Sequence, residues 1–383
     1  MRVTHVITRL IVGGAQENTI TSVLGLRKLP GLEVDLISGP SSGPEGSLES
    51  AFDQAPGALT IVPELVRPIH PLNDLVALHK LERIFRKRRP DIVHTHSGKA
   101  GVLGRLAAAR TGVPVIVHTI HGPSFGAFQG NFANWLFRSA EKRAARITTH
   151  FVTVADAMRE QYLAAGIGRP EQYTRILSGF SLEPFLHLQS DPTLRSRFGL
   201  KPDDIVIGKI ARLFKLKGHD TLFAVAPELI RACPKIKFLL VGGGEWRGRF
   251  EQLARAGGLQ NHFVFTGLVQ PKEIPALLGI MDILVHLSER EGLARALPQA
   301  LAAGKPIVTF DCDGAREVCR DGVTGFLVRL GHRNGLIERL LLLARDPTLR
   351  IQLGENGRRF VGEHFEASQM VNQLLTLYQS LCK

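Results

Sequence analysis

At 383 residues, with 44% hydrophobic and 22% charged side chains, the chain has the make-up of an ordinary soluble globular protein and exceeds what one core usually spans, so two domains of similar size are expected. It has no run of eighteen uninterrupted apolar residues; the longest candidate, residues 274–286, contains Asp282 and is too short to cross a bilayer. The net charge of +13 is uneven, with thirteen Lys or Arg against three acids between Lys80 and His150, yet no helix-turn-helix, zinc-finger or aromatic-stacking pattern accompanies it, which speaks against nucleic acid as the partner.

Thr4, His5, Thr8 and Arg9 break up any signal-peptide core at the N-terminus, and a cytoplasmic protein is expected. Val3–Ile7 reads as a strand running through Gly13-Gly14 into a helix, and the paired glycines let the backbone approach a ligand without a Cβ in the way. They do not match G-x-G-x-x-G, and no acid follows at the end of a clear second strand, so a dinucleotide fingerprint is disfavoured. Strands are expected at Val34–Ile37, Thr60–Val62, Ile92–His94, Val115–Thr119 and Phe151–Val154.

Between them, residues 73–88 carry a helical stripe of Leu75, Leu78, Leu81, Ile84 and Phe85 and end in Arg86-Lys87-Arg88-Arg89, cations that suit the helix C-terminus. A second basic helix, residues 134–146, mixes Trp135, Leu136 and Phe137 with Arg138, Lys142, Arg143 and Arg146. Such a helix either packs its aromatics into the core or lies on an anionic membrane surface. His94-Thr95-His96 with Lys99, and His118-Thr119-Ile120-His121, finish parallel strands and should emerge on the same rim as Gly13-Gly14. No carboxylate or cysteine stands at ligand spacing, so hydrogen bonding to a sugar, or a satisfied structural role, fits these histidines better than a metal; for His121 the sugar contact is favoured, and His96 and Lys99 become candidates on an acceptor side.

The pattern loosens near residues 176–184, and the polar stretch 191–204 with two prolines is the expected hinge, giving domains 1–185 and 200–365. A second α/β series follows, with strands at Ile205–Ile210, Phe238–Val241, Phe263–Phe265, Ile283–His286, Ile307–Thr309 and Phe326–Val328. The first of these runs into Arg212 and Lys217, a forked guanidinium and a point ammonium suited to a diphosphate and to the charge that develops as it leaves. Gly243 and Gly267-Leu268 end the next strands, where a nucleobase would rest against backbone.

The stretch Ser288–Gly304 then packs a glycine turn and a helix start between two apolar strands. Pro298 is tolerated only in a first turn, which sets the helix start at residues 294–297. Glu291, Gly292 and Leu293 then lie on the loop and Gln299 in the opening turns, near free N–H groups that would hold an anion. Asp311-Cys312-Asp313 looks like a D-x-D metal motif but follows a strand and is read as a strand-end loop. The four cysteines lack metal-ligand spacing and are expected as free thiols.

Jointly these motifs resemble the retaining, GT-B-fold glycosyltransferases of the group 1 type that build bacterial polysaccharides and glycolipids, and the similarity covers nearly the whole chain. Gly13-Gly14-Ala15-Gln16, Thr119–Gly122, Arg212 with Lys217, Glu291-Gly292-Leu293 with Gln299, and residues 314–318 and 321–328 carry it. The resemblance implies two Rossmann-like parallel-sheet domains facing across a cleft, the first for the acceptor and the second for the donor, with a C-terminal helix over 366–383 packing back on the first. It implies transfer of a hexose or N-acetylhexosamine from a nucleotide-diphosphate sugar, most often a UDP-sugar, to a saccharide or lipid-linked hydroxyl with no required metal. His121 and Glu291 would hold the donor sugar, Arg212 and Lys217 the diphosphate, and the basic N-terminal helices would touch the inner face of the cytoplasmic membrane. One departure stands out: the family's second glutamate is Gln299 here, which keeps an acceptor, gains a donor and loses charge-assisted hydrogen bonding. The rival readings are a sugar-nucleotide epimerase, which would carry more acids, and a non-catalytic sugar-nucleotide-binding subunit, which Gln299 favours.

Overall fold

The computed structural model describes all residues except Ser42, Pro44, Glu45, Ala127 and Lys383. It divides into two compact units, Met1–Phe180 with Ala367–Lys383, and Ser181–Glu366. The first contains β1 (Arg2–Ile7), α1 (Gly14–Arg27), β2 (Glu33–Ser38), β3 (Leu59–Ile61), α2 (Pro71–Arg88), β4 (Ile92–His96), α3 (Gly98–Arg110), β5 (Val115–Ile120), α4 (Asn131–Ala145), β6 (His150–Thr153), α5 (Asp156–Ala164) and β7 (Tyr173–Arg175). Its seven strands are parallel in the order β3-β2-β1-β4-β5-β6-β7. The central strands β4, β5 and β6 are buried along their whole length, as strands covered by helices on both faces must be. Both histidine-bearing strands run further than expected, to His96 and Ile120.

The second unit contains α6 (Glu183–Leu186), α7 (Pro192–Arg197), β8 (Ile205–Ile210), α8 (His219–Ala232), β9 (Ile236–Val241), α9 (Arg247–Ala256), β10 (Phe263–Gly267), α10 (Ile274–Gly279), β11 (Ile283–His286), α11 (Ala296–Ala302), β12 (Ile307–Phe310), β13 (Gly325–Val328), α12 (Arg333–Arg345) and α13 (Pro347–His364). Its six strands are parallel in the order β10-β9-β8-β11-β12-β13, the same winding as the first sheet. The stretch expected as a hinge belongs to this unit. Pro192 opens α7 beneath an Asp191 cap that accepts from the Thr193 and Leu194 N–H groups, and buried Arg195 donates to the carbonyls of Ile280, Lys201 and Asp204. The prolines there mark a capped helix and a turn; the chain changes unit at Phe180–Ser181 and again at Glu366–Ala367.

The last helix, α14 (Ala367–Leu381), belongs to the first unit and packs against α1. Met370, Val371, Leu374, Leu377 and Tyr378 recur at helical spacing and join Ile20, Val23 and Leu26 in one core. Gly25 permits the close approach, since a Cβ there would stand 2.4 Å from Val371 Cγ2. Burying these side chains stabilises the unit by roughly 1.5–3 kcal/mol each, as an upper estimate.

Candidate functional site

In the second sheet the winding reverses between β8 and β11, the place where doubly wound sheets leave a crevice at the strand carboxyl ends. The loop after β8 carries Arg212 and Lys217, and the loop after β11 carries Ser288 and Glu291. The two are stitched together: Glu289 N–H donates to the Leu216 carbonyl at 2.9 Å, and Ser288 Oγ lies 3.2 Å from the same oxygen. Leu216 holds φ +65°, a left-handed conformation that costs a leucine about 1–2 kcal/mol and persists because both loops pin it. The Lys217 ammonium forms an ion pair with Glu291 Oε1, which also accepts from Ser288 Oγ at 3.1 Å. Behind it, Asp313 Oδ2 accepts the Glu291 N–H at 2.7 Å, and Gly314 N–H donates to the Gly292 carbonyl.

Burial pushes the Glu291 carboxyl up, but the Lys217 charge, with hydrogen bonds from Lys217 and Ser288, outweighs it and holds the group below the usual carboxylate range, so it is ionised at neutral pH. Under the loops Lys209, on β8, is fully buried with no hydrogen-bond partner for Nζ among the described residues; burial and then Lys217 lower its pKa to about 7 against the pull of Glu291. His219 and His286 are lowered to about 3, by burial first and by Lys209 next, and are neutral. The floor of this site is therefore poorly solvated, with one carboxylate at its rim.

Gly243 and Leu268 meet at the adjacent strand ends, where a Cβ on Gly243 would lie 3.4 Å from Leu268 Cβ, and Gly242 N–H donates to the Gly267 carbonyl at 3.1 Å. Arg212 stacks over Phe214 at 5.0 Å. Helix α11 begins at Ala296 with Pro298 in its first turn, as the proline requires, but spans only seven residues. So short a helix has a weak dipole. The half-buried Gln299 amide makes no hydrogen bond among the described residues.

The first sheet reverses between β1 and β4. Gly13 and Gly14 open α1, and a Cβ on Gly13 would stand 2.8 Å from Gln16 Oε1, so this glycine leaves room for the glutamine. His94, His96 and His118 are all buried, while His121 is partly exposed. His96 was expected on an acceptor side; instead its nitrogens meet His5 and His121, at 2.9 Å each, and it stands behind His121. Lys99 does not reach out either, because Asp74 and the Pro68 carbonyl hold its ammonium. His5, His94 and His96 bring ligand atoms within 4.8 Å of one another, but each uses them for hydrogen bonds along the row.

Burial lowers His5 to about 3 and His121 to about 4, and holds His94, His96 and His118 well below 6.5. The unfolded chain therefore binds protons that the folded one refuses below about pH 6.5, so the stabilisation from neutral histidines is complete above that pH and is lost as pH falls toward 4. Each such group loses about 1.4 kcal/mol per pH unit in that window. Urea unfolding should show a midpoint that drops steeply between about pH 6.5 and pH 5.5; a midpoint unchanged at pH 5.5 would contradict the neutral assignment.

The aromatic face of α4 is not packed away. Phe132 is 76% and Trp135 62% exposed, Phe137 packs inward, the Arg138 guanidinium donates to the Ala165 carbonyl, and Lys142, Arg143 and Arg146 are exposed. On α2 the buried stripe is Ala77, Leu78, Leu81 and Phe85, whereas Leu75, expected within it, is exposed along with Leu72. No helix among the described residues is long and apolar enough to cross a membrane.

Several residues escaped the motif reading. Lys209 lies in a strand pattern with no signal of its own, and His5 and Tyr378 join the site region only through sheet and helix packing. Asp313 was visible as half of D-x-D but acts on the Glu291 backbone, while Asp311 pairs with Arg316. Cys312 donates to the Ser288 carbonyl at 3.1 Å, with its thiol pushed up to about 12 by burial and neighbouring acids.

Comparison with known proteins agrees with this architecture. The family described as Glycosyl transferases group 1 matches residues 190–360, and the Glycosyl transferase 4-like domain matches residues 13–179. An Escherichia coli UDP-Gal:alpha-D-GlcNAc-diphosphoundecaprenol alpha-1,3-galactosyltransferase is 28% identical over 99% of this chain and 96% of its own length. The Staphylococcus aureus capsular polysaccharide biosynthesis glycosyltransferase CapM is 26% identical over 83% of this chain and 84% of its own. Among solved structures, Anabaena HepE in complex with UDP-glucose superposes with a TM-score of 0.83 over 99% of this chain and 100% of that one, at 23% identity. The two matched segments fall on the two parallel-sheet units, and the chain belongs to the group 1 glycosyltransferases of the GT-B fold, enzymes that transfer sugar from nucleotide-sugar donors.

Proposed function

We propose that this enzyme transfers a hexose or N-acetylhexosamine from a UDP-sugar to a hydroxyl of a lipid-linked saccharide, with retention at the anomeric carbon. The observation that carries this reading is the Lys217–Glu291 ion pair, held by Ser288 at the reversal between β8 and β11. A nucleotide sugar joins a diphosphate to a hydroxyl-rich ring through one C–O bond. An ammonium touching a carboxylate offers the two matching partners side by side, Lys217 for the leaving phosphate and Glu291 for the ring hydroxyls. Arg212 would share the diphosphate charge, Gly243, Gly267 and Leu268 would seat the base, and Gln299 would meet the ribose. Gly292 and Leu293 would carry Glu291 into position, and Gly13, Gly14, Gln16 and His121 of the first unit would contact the sugar.

Glu291 is a weak base, ionised and neutralised by Lys217, which suits a reaction that needs no carboxylate to take a proton. The anomeric C–O bond breaks with its electron pair going to the diphosphate. The acceptor oxygen bonds the same face of that carbon, and its proton passes to the departing phosphate oxygen. The Escherichia coli relative's name supports a UDP-linked donor and a diphosphoundecaprenol-linked acceptor, and the HepE complexes support UDP. Incubation with UDP-, GDP- and ADP-sugars should release UDP only when a lipid-linked saccharide is added. Release that needs no acceptor would favour the epimerase reading, and binding without release would favour a non-catalytic subunit.

The exposed Phe132 and Trp135 favour an anionic membrane as the place where the acceptor is met. Co-sedimentation with phosphatidylglycerol vesicles should fall about tenfold when Phe132→Asp and Trp135→Asp are combined, with turnover on a soluble acceptor unchanged. Equal sedimentation of both proteins would rule the surface out.

A further inference from the structure

Four imidazoles and one phenol form a continuous row through the core of the first unit. Tyr378, on α14, places its hydroxyl 2.5 Å from His94 Nδ1 and 3.4 Å from His5 Nε2. His5 Nδ1 meets His96 Nε2 at 2.9 Å, and His96 Nδ1 meets His121 Nε2 at 2.9 Å. At the other end His94 Nε2 meets Thr119 Oγ1 at 2.6 Å. The ring centroids of both His5–His96 and His96–His121 are 5.2 Å apart with interplanar angles of 12° and 27°. That separation is the N···N distance plus two ring radii, so the imidazoles lie end to end and their hydrogen bonds run in the ring planes, the directed geometry.

A neutral imidazole carries one N–H and one lone pair, so each ring in such a row dictates the tautomer of the next. Only two proton patterns satisfy every contact, and they differ at the outer nitrogen of His121, which is a lone pair in one and an N–H in the other. The phenol decides between them. It is the more acidic donor and belongs on the shorter contact, donating to His94 Nδ1. His94 Nε2–H then donates to Thr119, His5 Nε2–H to the Tyr378 oxygen, His96 Nε2–H to His5 and His121 Nε2–H to His96. His121 Nδ1, which has no partner among the described residues, is left as an acceptor.

We propose that Tyr378, His94, His5 and His96 are positioning residues that hold His121 as its Nε2–H tautomer, so that His121 Nδ1 accepts a hydrogen bond from a hydroxyl or amide N–H of the sugar. This rests on the reading that His121 contacts the sugar. The burial that keeps all four rings neutral at pH 7 lets the row carry tautomer without carrying charge. It also gives α14 a part in the chemistry at the end of β5, far away in sequence.

The test is the two-bond ¹H–¹⁵N correlation spectrum of ¹⁵N-histidine-labelled protein at pH 7.5 without substrate, in wild type, Tyr378→Phe and Thr119→Val. Wild type should show His121 as a single Nε2–H tautomer. Tyr378→Phe should move both His121 nitrogens toward averaged shifts, with His5 and His96 moving alongside, and lower kcat about tenfold with little change in the donor KM. Thr119→Val removes the acceptor of His94 Nε2–H and should shift His121 toward Nδ1–H, which keeps the test decisive if Tyr378→Phe does not fold. His121 shifts unchanged in both variants, or an Nδ1–H tautomer in wild type, would overturn the proposal. The sugar-contact reading fails separately, if His121→Ala turns over like wild type, because the tautomer is read in the absence of substrate.

Discussion

Lys217→Ala is expected to lower kcat by about 10²–10³-fold while the thermal midpoint stays within a few degrees of wild type. The magnitude is that of removing one pre-placed donor from a developing anion, about 2.7–4 kcal/mol. Neither Arg212 nor Lys209 replaces it: Arg212 stacks on Phe214, and Lys209 is buried on β8 beneath the loop. The fold should tolerate the change because Lys217 sits on a loop whose hold on its neighbour runs through the Leu216 carbonyl, which the substitution leaves in place. Glu291 loses its strongest stabilising partner, so its carboxyl should titrate higher in the variant. Kinetics with a circular dichroism melt check both halves, and wild-type turnover in a folded Lys217→Ala protein would contradict the role given to the ammonium.

Gly218→Ala should do more harm to the fold than any loop substitution nearby. Gly218 holds φ +70°, and a Cβ there would sit 1.8 Å from the Leu287 carbonyl oxygen, a backbone atom that cannot swing away. The left-handed conformation alone costs an alanine about 1–2 kcal/mol, and relieving the overlap must part the two loops that hold Lys217 and Glu291. A loss of at least about 3 kcal/mol by urea unfolding is expected, with turnover reduced a hundredfold or more even in protein that remains folded, since a misplacement of about 1 Å can cost that much. Near-normal stability with near-normal turnover would mean the loops are not held by this contact.

Much of this was legible in the chain itself. β8 and β11 occupy the expected residues because their apolar runs are bounded by charged or glycine-bearing loops, and Pro298 set the start of α11 through its missing N–H. The domain passage was not, because a polar stretch with prolines reads equally as a linker or as a capped helix, and only the carbonyl partners of Arg195 separate the two. Helix α4 was ambiguous for the same kind of reason: periodicity places Phe132 and Trp135 together on a face but does not say what covers it. His96 and Lys99 were legible as polar groups at a strand end, yet whether such a group faces outward depends on side chains from β1 and α2 that local sequence does not bring near. The row from Tyr378 to His121 is the extreme case, built from β1, β4, β5 and the last helix.

The most direct test of the central claim, that the loops after β8 and β11 hold the donor diphosphate, is calorimetric titration of UDP and of uridine into wild type and into the Arg212→Ala, Lys217→Ala double variant. The two ligands differ only by the diphosphate, so the gap in their affinities isolates its contribution. Wild type should bind UDP at least about a hundredfold more tightly than uridine, the worth of two charge-assisted contacts, and the double variant should bind both alike with uridine affinity unchanged. A gap that survives in the double variant would place the diphosphate elsewhere and contradict the account.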